Sequence, residues 1–204
     1  LAGNAVKQAR LGFLHNAYAR YPHIDLAASG EAVGLLPGMM GNSEVGHNTM
    51  GTGQIVKQGI ASIEEAFSSG KIWEGDVWQN AIKNVLDHNS TLHFGGIFSD
   101  GGVHSDINQL DKMIEKANEM GVKKIRLHIA TDGRDVAPQS EPKYIDRIES
   151  FFKLFPDTDY KIASGGGRMV FISDRYQSDW GVVKAGWDVI VFVPSKEEDE
   201  DRIT

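Results

Sequence analysis

From Thr91 onward the chain alternates short apolar runs with amphipathic stretches, and this alternation limits the folds open to it. Leu92-His93-Phe94-Gly95-Gly96-Ile97-Phe98 reads as a buried strand. Ser105 then reads as a helix cap, and Ile107, Leu110, Ile114, Ala117 and Met120 recur at helical spacing until Gly121 ends the run. Lys124 to Ala130 predicts the next strand. Tyr144, Ile145, Ile148, Phe151, Phe152 and Phe155 mark the following helix stripe, and Tyr160 to Ala163 a third strand. A helix is expected over Asp174 to Ala185, and Trp187-Asp188-Val189-Ile190-Val191-Phe192-Val193 reads as a final strand. Strands alternating with helices imply right-handed crossovers. The expected fold is therefore α/β, with a mostly parallel sheet and helices on both faces.

Sheets of this kind take ligands outside the carboxyl ends of their strands. Three polar, glycine-rich segments each follow an expected strand directly: Ser99-Asp100-Gly101-Gly102-Val103-His104-Ser105, Asp132-Gly133-Arg134-Asp135 and Ser164-Gly165-Gly166-Gly167-Arg168. They are expected as loops on one sheet edge. Three arginines, Arg134, Arg168 and Arg175, sit in or beside them. Guanidinium forks pair bidentately with carboxylate and phosphate, so several converging on one pocket favour a small polyanion. The glycines before Arg168 add bare backbone amides that can approach an oxyanion. Each arginine could instead be a surface ion pair with Asp132, Asp135 or Asp174. All three being incidental at three strand ends is the poorer explanation. His104 reads either as a helix-start or packing residue, or as an imidazolium that donates to a phosphate. Asp135 reads either as the acceptor of a substrate hydroxyl proton or as a carboxylate that orients an arginine.

Upstream, Met40-Gly41-Asn42-Ser43-Glu44-Val45-Gly46-His47-Asn48 puts a serine on a glycine-bracketed turn ahead of a helix-compatible run. Ser43 can project its hydroxyl as a nucleophile, or simply cap the helix beginning near Glu44. The segment is not the hydrolase nucleophile elbow, because Val45 stands where that motif needs glycine. His47, one helical turn on, reads as structural support rather than a catalytic base. His15, His23, His88, His93 and His128 show no metal-ligand spacing. Further helices are expected over Ile60 to Phe67 and Val77 to Leu86.

Composition narrows the classes. A hydrophobic fraction of 41% and a charged fraction of 24% are ordinary for a globular protein. No cysteine is present, so disulfides and thiolate metal sites are excluded. A net charge of −7 argues against general nucleic-acid binding. Much of it lies in Glu197-Glu198-Asp199-Glu200-Asp201, expected as a solvated acidic tail. No run is long and apolar enough to span a membrane, and the first residues lack the pattern of a secretory signal. The expectation is a cytoplasmic monomer with neither nucleic-acid nor membrane partners.

As whole strings, these segments are more specific than their spacing. Gly41-Asn42-Ser43-Glu44-Val45-Gly46-His47 resembles the nucleophile segment of the cofactor-independent phosphoglycerate mutases of the alkaline-phosphatase superfamily. The three glycine-rich segments, with Asp174-Arg175-Tyr176, resemble that family in the same order. Ser29 to Leu35 is similar to the family's lead-in. The resemblance implies interconversion of 3-phosphoglycerate and 2-phosphoglycerate through a phosphoserine, in glycolysis and gluconeogenesis. It implies two divalent metal ions, manganese by preference with magnesium or cobalt as alternatives, and no organic cofactor. On this resemblance Ser43 accepts the phosphoryl group and ligates a metal, while His104, Arg134, Asp135, Arg168 and Arg175 bind the phosphoglycerate.

The same resemblance implies a segment of a phosphatase-like domain over 1–57, a substrate-binding phosphotransferase domain over 58–194 and the acidic tail over 195–204. The chain departs from the family in several places. It lacks the early aspartate before Gly3-Asn4-Ala5, the turn usual between Arg10 and Leu11, and the second half that carries most metal ligands. It therefore reads as an incomplete part, inactive by itself. The alternatives are a metal-dependent phosphatase or phosphopentomutase of the superfamily, or a non-catalytic phosphoglycerate-binding module.

Overall fold

The computed structural model describes residues 3–170 and 177–191. These form two compact units, one running to Gln58 and the other from Gly59 onward. The first holds helices α1 (Ala5–Gln8) and α2 (Gly12–Arg20), a 3-10 turn at Gly30–Val33 and helix α3 (Ser43–Thr52). Val33, Leu35 and Val45 are its buried apolar side chains. Residue Asn42, not Ser43, caps α3: its backbone is extended and its side-chain oxygen accepts the Val45 amide at 3.1 Å. An Asn oxygen in that geometry satisfies one of the orphan amides of the first turn. Glycine is obligatory at position 41, since a Cβ there would fall 1.8 Å from the Ala28 carbonyl oxygen.

In the second unit, α4 (Gly59–Ser68), α5 (Lys71–Glu74) and α6 (Asp76–Asp87) precede β1 (Leu92–Phe98). Helix α7 (Ile107–Glu119) leads to β2 (Lys124–Thr131), and α8 (Glu141–Phe152) to β3 (Asp159–Gly167). Helix α9 (Trp180–Val191) follows. The strands form one parallel sheet in the order β1-β2-β3, with Leu92 opposite Ile125 and Ile125 opposite Tyr160. The chain is thus α/β with a parallel sheet, as its alternation requires.

Period-two alternation sends Ile125, Leu127 and Ile129 of β2 into the core, where they meet Ile82 and Val85 of α6, Ile107 and Ile114 of α7, and Tyr144 and Ile148 of α8. Ile114, Ile125 and Ile148 are fully buried. Each contributes about 1.5–3 kcal/mol of transfer free energy. The intervening β2 side chains, Arg126 and His128, point to the opposite face and stay partly exposed.

Local structure departs from the sequence expectations at three places. Asp106, not Ser105, caps α7, accepting the Asn108 amide at 2.8 Å; the Ser105 hydroxyl instead donates back to the Ile97 carbonyl at 2.6 Å. Ser164 to Gly167 is not a loop but the end of β3, paired with His128 to Thr131 of β2 after a register shift. Glycine normally weakens a strand, yet here the close approach demands it: a Cβ on Gly165 would lie 2.7 Å from Ile129 Cγ1. Finally, Trp187 to Val191 continues α9 rather than forming a strand, and the expected helix starts at Trp180. A short continuous apolar run has no period that separates strand from helix, and a helix already begun propagates cheaply. Residues 174–176, 192 and 193 of those two expectations, and the acidic tail, lie outside the described residues.

Candidate functional site

Phe98, Thr131 and Gly167 stand opposite one another across the sheet. The next residue along each strand is therefore Ser99, Asp132 and Arg168, three neighbours at the carboxyl end of three parallel strands. The Ser99 hydroxyl donates to Asp132 Oδ2 at 2.6 Å. Arg168 Nη1 donates to Asp132 Oδ1 at 2.8 Å and to Asp135 Oδ2 at 2.7 Å. The amides of Arg134 and Asp135 also donate to Asp132 Oδ1, at 3.1 and 3.0 Å. Asp132 thus ties the turn after β2 to the ends of both flanking strands.

Burial tends to raise the Asp132 carboxyl. The Ser99 hydroxyl, the amides of Asp135 and Arg134 and the Arg168 guanidinium outweigh it, holding Asp132 below the usual carboxylate range. Burial likewise opposes the Arg168 charge, but the carboxylates of Asp135 and Asp132 overcome it, and the guanidinium is more firmly protonated than usual. Both acceptors share Nη1. Nη2 and Nε have no protein acceptor among the described residues.

The site residues named from sequence are distributed as follows. Arg168 and Asp135 are in direct contact, and His104 Nε2 stands 3.9 Å from Asp135 Oδ2, an ion pair when the imidazole is protonated. Arg134 is exposed, its Nη1 4.0 Å from Met169 Sδ. Arg175 lies outside the described residues. Ser43 belongs to the first unit, exposed on the first turn of α3. Its Oγ is 3.1 Å from His47 Nδ1, and the same Nδ1 lies 2.5 Å from the Ser43 carbonyl oxygen. A carbonyl only accepts, so the imidazole proton sits on Nδ1 and no lone pair remains there to take the serine proton. In this geometry His47 Nδ1 is not placed to act as the base for Ser43. Among the described residues no three His, Asp or Glu side chains gather to hold a metal ion, so they do not by themselves make a metal centre around Ser43.

Sequence reasoning assigned no site role to Ser99, and gave Asp132 only as an arginine's partner. The available signal was position: each is the first residue after an apolar strand run. It also missed a second hydrogen-bonded row, on the sheet face away from the core. There His93 Nδ1 lies 2.9 Å from His128 Nε2, and His128 Nδ1 lies 2.7 Å from Ser164 Oγ. A cavity of about 300 Å³ borders β1 and α7, lined by Phe94, Gly96, His104, Gln109, Met113 and His128 among others. Arg168 and Asp135 are not part of its wall.

Residues 63–204 match the family model described as the BPG-independent PGAM N-terminus, well over half the chain. The chain belongs to this family of phosphoglycerate mutases. It is 48% identical over 167 residues to the 2,3-bisphosphoglycerate-independent phosphoglycerate mutase of Zea mays, covering 80% of this chain and 30% of that one. To the Listeria innocua enzyme of the same name it is 42% identical over 202 residues, covering 98% and 38%. Its structure is similar to that of Leishmania mexicana phosphoglycerate mutase, solved at low cobalt concentration, with a TM-score of 0.82, 40% identity, and 90% of this chain against 34% of that one. The chain spans about a third of the length of the phosphoglycerate mutases it matches. Among the described residues no helix is long and apolar enough to cross a membrane.

Proposed function

We propose that this chain is the substrate-binding part, together with the serine segment, of an enzyme that interconverts 3-phosphoglycerate and 2-phosphoglycerate without bisphosphoglycerate. The observation that carries the reading is Arg168. It is charged and nearly buried at a strand end, anchored through Nη1 to two carboxylates, with the rest of its fork unclaimed among the described residues. Such a group receives a phosphate or carboxylate bidentately. The exposed Arg134 adds charge for the second anionic group of a phosphoglycerate, and Arg175 is assigned the same part from its place in the sequence. His104, when protonated, donates to the phosphoryl oxygens, and Asp135 accepts from a glycerate hydroxyl.

Ser43 is the phosphoryl acceptor in this reading. Its Oγ bonds to phosphorus as the bond to the substrate 3-oxygen breaks, and the serine proton leaves as that oxygen gains one. Glycerate turns among the arginines, and its 2-hydroxyl takes the phosphoryl group back with the reverse proton exchange. Two divalent ions, manganese by preference, belong to the same proposal, with Ser43 as the ligand this chain contributes. So do a cytoplasmic location, a monomeric state and a place in glycolysis and gluconeogenesis. The domain assignments go with them: a phosphatase-like segment up to residue 57, a substrate domain over 58–194 and an acidic tail.

The test is twofold. Calorimetric titration of this chain with 3-phosphoglycerate should give saturable binding that excess inorganic phosphate weakens. The complete enzyme, assayed with manganese and without bisphosphoglycerate, should form 2-phosphoglycerate and stop on EDTA treatment. Release of inorganic phosphate instead would identify a phosphatase of the superfamily, and no binding at all would remove the substrate-site reading.

A further inference from the structure

Ser99 is 1% exposed and the Asp132 side chain likewise 1%. Neither side chain presents surface to a molecule in solution, yet both are polar, and a buried carboxylate is tolerated only when its lone pairs are satisfied. Asp132 meets that requirement with four donors, and none is incidental. Oδ2 takes the Ser99 hydroxyl; Oδ1 takes the amides of Arg134 and Asp135 and the Arg168 guanidinium. Three of the four belong to the residues that hold the ligand in the proposed function. The fourth, Ser99, also accepts the Gly101 amide at 3.2 Å, which pins the loop leading to His104.

We infer that Asp132 is the positioning residue of this site, with Ser99 as its orienting partner. Asp132 aims the Arg168 fork and shapes the Arg134–Asp135 turn for a phosphorylated three-carbon acid, and touches none of that ligand itself. The ligand rests on the function proposed above; the positioning does not. A guanidinium engaged at both edges would be a purely structural pair. Here both carboxylates meet Nη1 alone, so the pairing sets the plane of the fork and leaves Nη2 and Nε directed elsewhere. Asp132 is available for this because strand register, not a flexible loop, brings it between Ser99 and Arg168.

The test uses this chain unaltered and as Ser99→Ala, Asp132→Asn, Arg168→Ala and the double variant Asp132→Asn with Arg168→Ala. Each is titrated with 3-phosphoglycerate, and ¹⁵N NMR follows the arginine side chains. Asp132→Asn keeps the shape and removes the charge. It should weaken binding about tenfold or more, the scale of a charged hydrogen bond, and Ser99→Ala about threefold, since Ser99 acts on Arg168 only through Asp132. The distinct Nη signals of a held Arg168 should merge in Asp132→Asn as the fork begins to rotate. In the Arg168→Ala background the Asp132→Asn change should cost clearly less, because it acts through Arg168.

Equal costs in both backgrounds, affinity within twofold of the unaltered chain, or unchanged Nη signals would overturn the assignment. Should Asp132→Asn fail to fold, Ser99→Ala decides, since it removes one hydroxyl with its bonds to Asp132 and the Gly101 amide and leaves the Asp132 charge in place. No binding by the unaltered chain would instead overturn the proposed ligand, and the Nη signals would still decide the positioning.

Discussion

Arg168 and Asp135 lie 33 residues apart in sequence and 2.7 Å apart in the structure, joined at a strand end through one guanidinium nitrogen. That contact brings two of the anion-site candidates into one network, and His104 stands at its rim, 3.9 Å from the same carboxylate oxygen. The pairing also means that Arg168 neutralises two carboxylates through a single nitrogen, and in the proposed function the rest of its fork takes the ligand.

Replacement of Arg168 by Ala should therefore weaken 3-phosphoglycerate binding by on the order of 2–3 kcal/mol, the scale of a lost charged hydrogen bond. Arg168→Lys should recover little of it, because a point charge cannot reproduce a fork held at one edge. Calorimetry on the two variants checks this, and native-like affinity in either would take Arg168 out of the binding site.

Ser43→Ala in the complete enzyme should abolish turnover while leaving the far-ultraviolet spectrum and melting temperature close to native, since the hydroxyl is exposed and Asn42 provides the cap of α3. Phosphopeptide mapping after brief exposure to 3-phosphoglycerate should find the label on Ser43. Sustained turnover in the variant would place the acceptor elsewhere.

Acid should loosen the sheet through His128. Burial first, and then the neighbouring His93, push its pKa below the ordinary 6.5. The folded state thus favours the neutral ring. The stability this gives is fully present above pH 6.5 and is lost as pH falls through the depressed folded value. Melting temperatures measured from neutrality downward should fall more steeply for the native chain than for His128→Gln. Parallel curves would mean that the ring titrates alike in folded and unfolded chains.

Ile148→Ala should cost about 2–5 kcal/mol in denaturant unfolding of the second unit, the transfer loss plus the cavity left behind. Ile148 is fully buried beneath the sheet on α8. A cost under about 1 kcal/mol would mean that the surrounding core collapses onto the gap.

Much of this architecture was legible because hydrophobic patterning is local. Strands β1 and β2 appear as apolar runs, and the α7 stripe repeats at helical spacing up to Gly121. Glycines misled where they usually inform: Ser164 to Gly167 carries the composition of a loop, but the parallel ladder with β2 and the tight approach to Ile129 make it strand. Trp187 to Val191 misled for want of a period, since an unbroken apolar run fits either state. Arg168, Asp135 and His104 could be named because they stand in recognisable strings. Ser99 and Asp132 could not be assigned their part, because a hydrogen bond across 33 residues leaves no mark in local sequence. The pairing of His93 with His128 was hidden for the same reason.

The placement of Ser99, Asp132 and Arg168 directly after three hydrogen-bonded strands makes the sheet the ruler of the site. Their spacing follows from the rungs of the ladder and owes nothing to the length of chain spent between them. A crossover could gain a turn of helix or a surface insertion without moving the three apart, whereas a slip of one rung between any two strands would dismantle the row while leaving every residue in place.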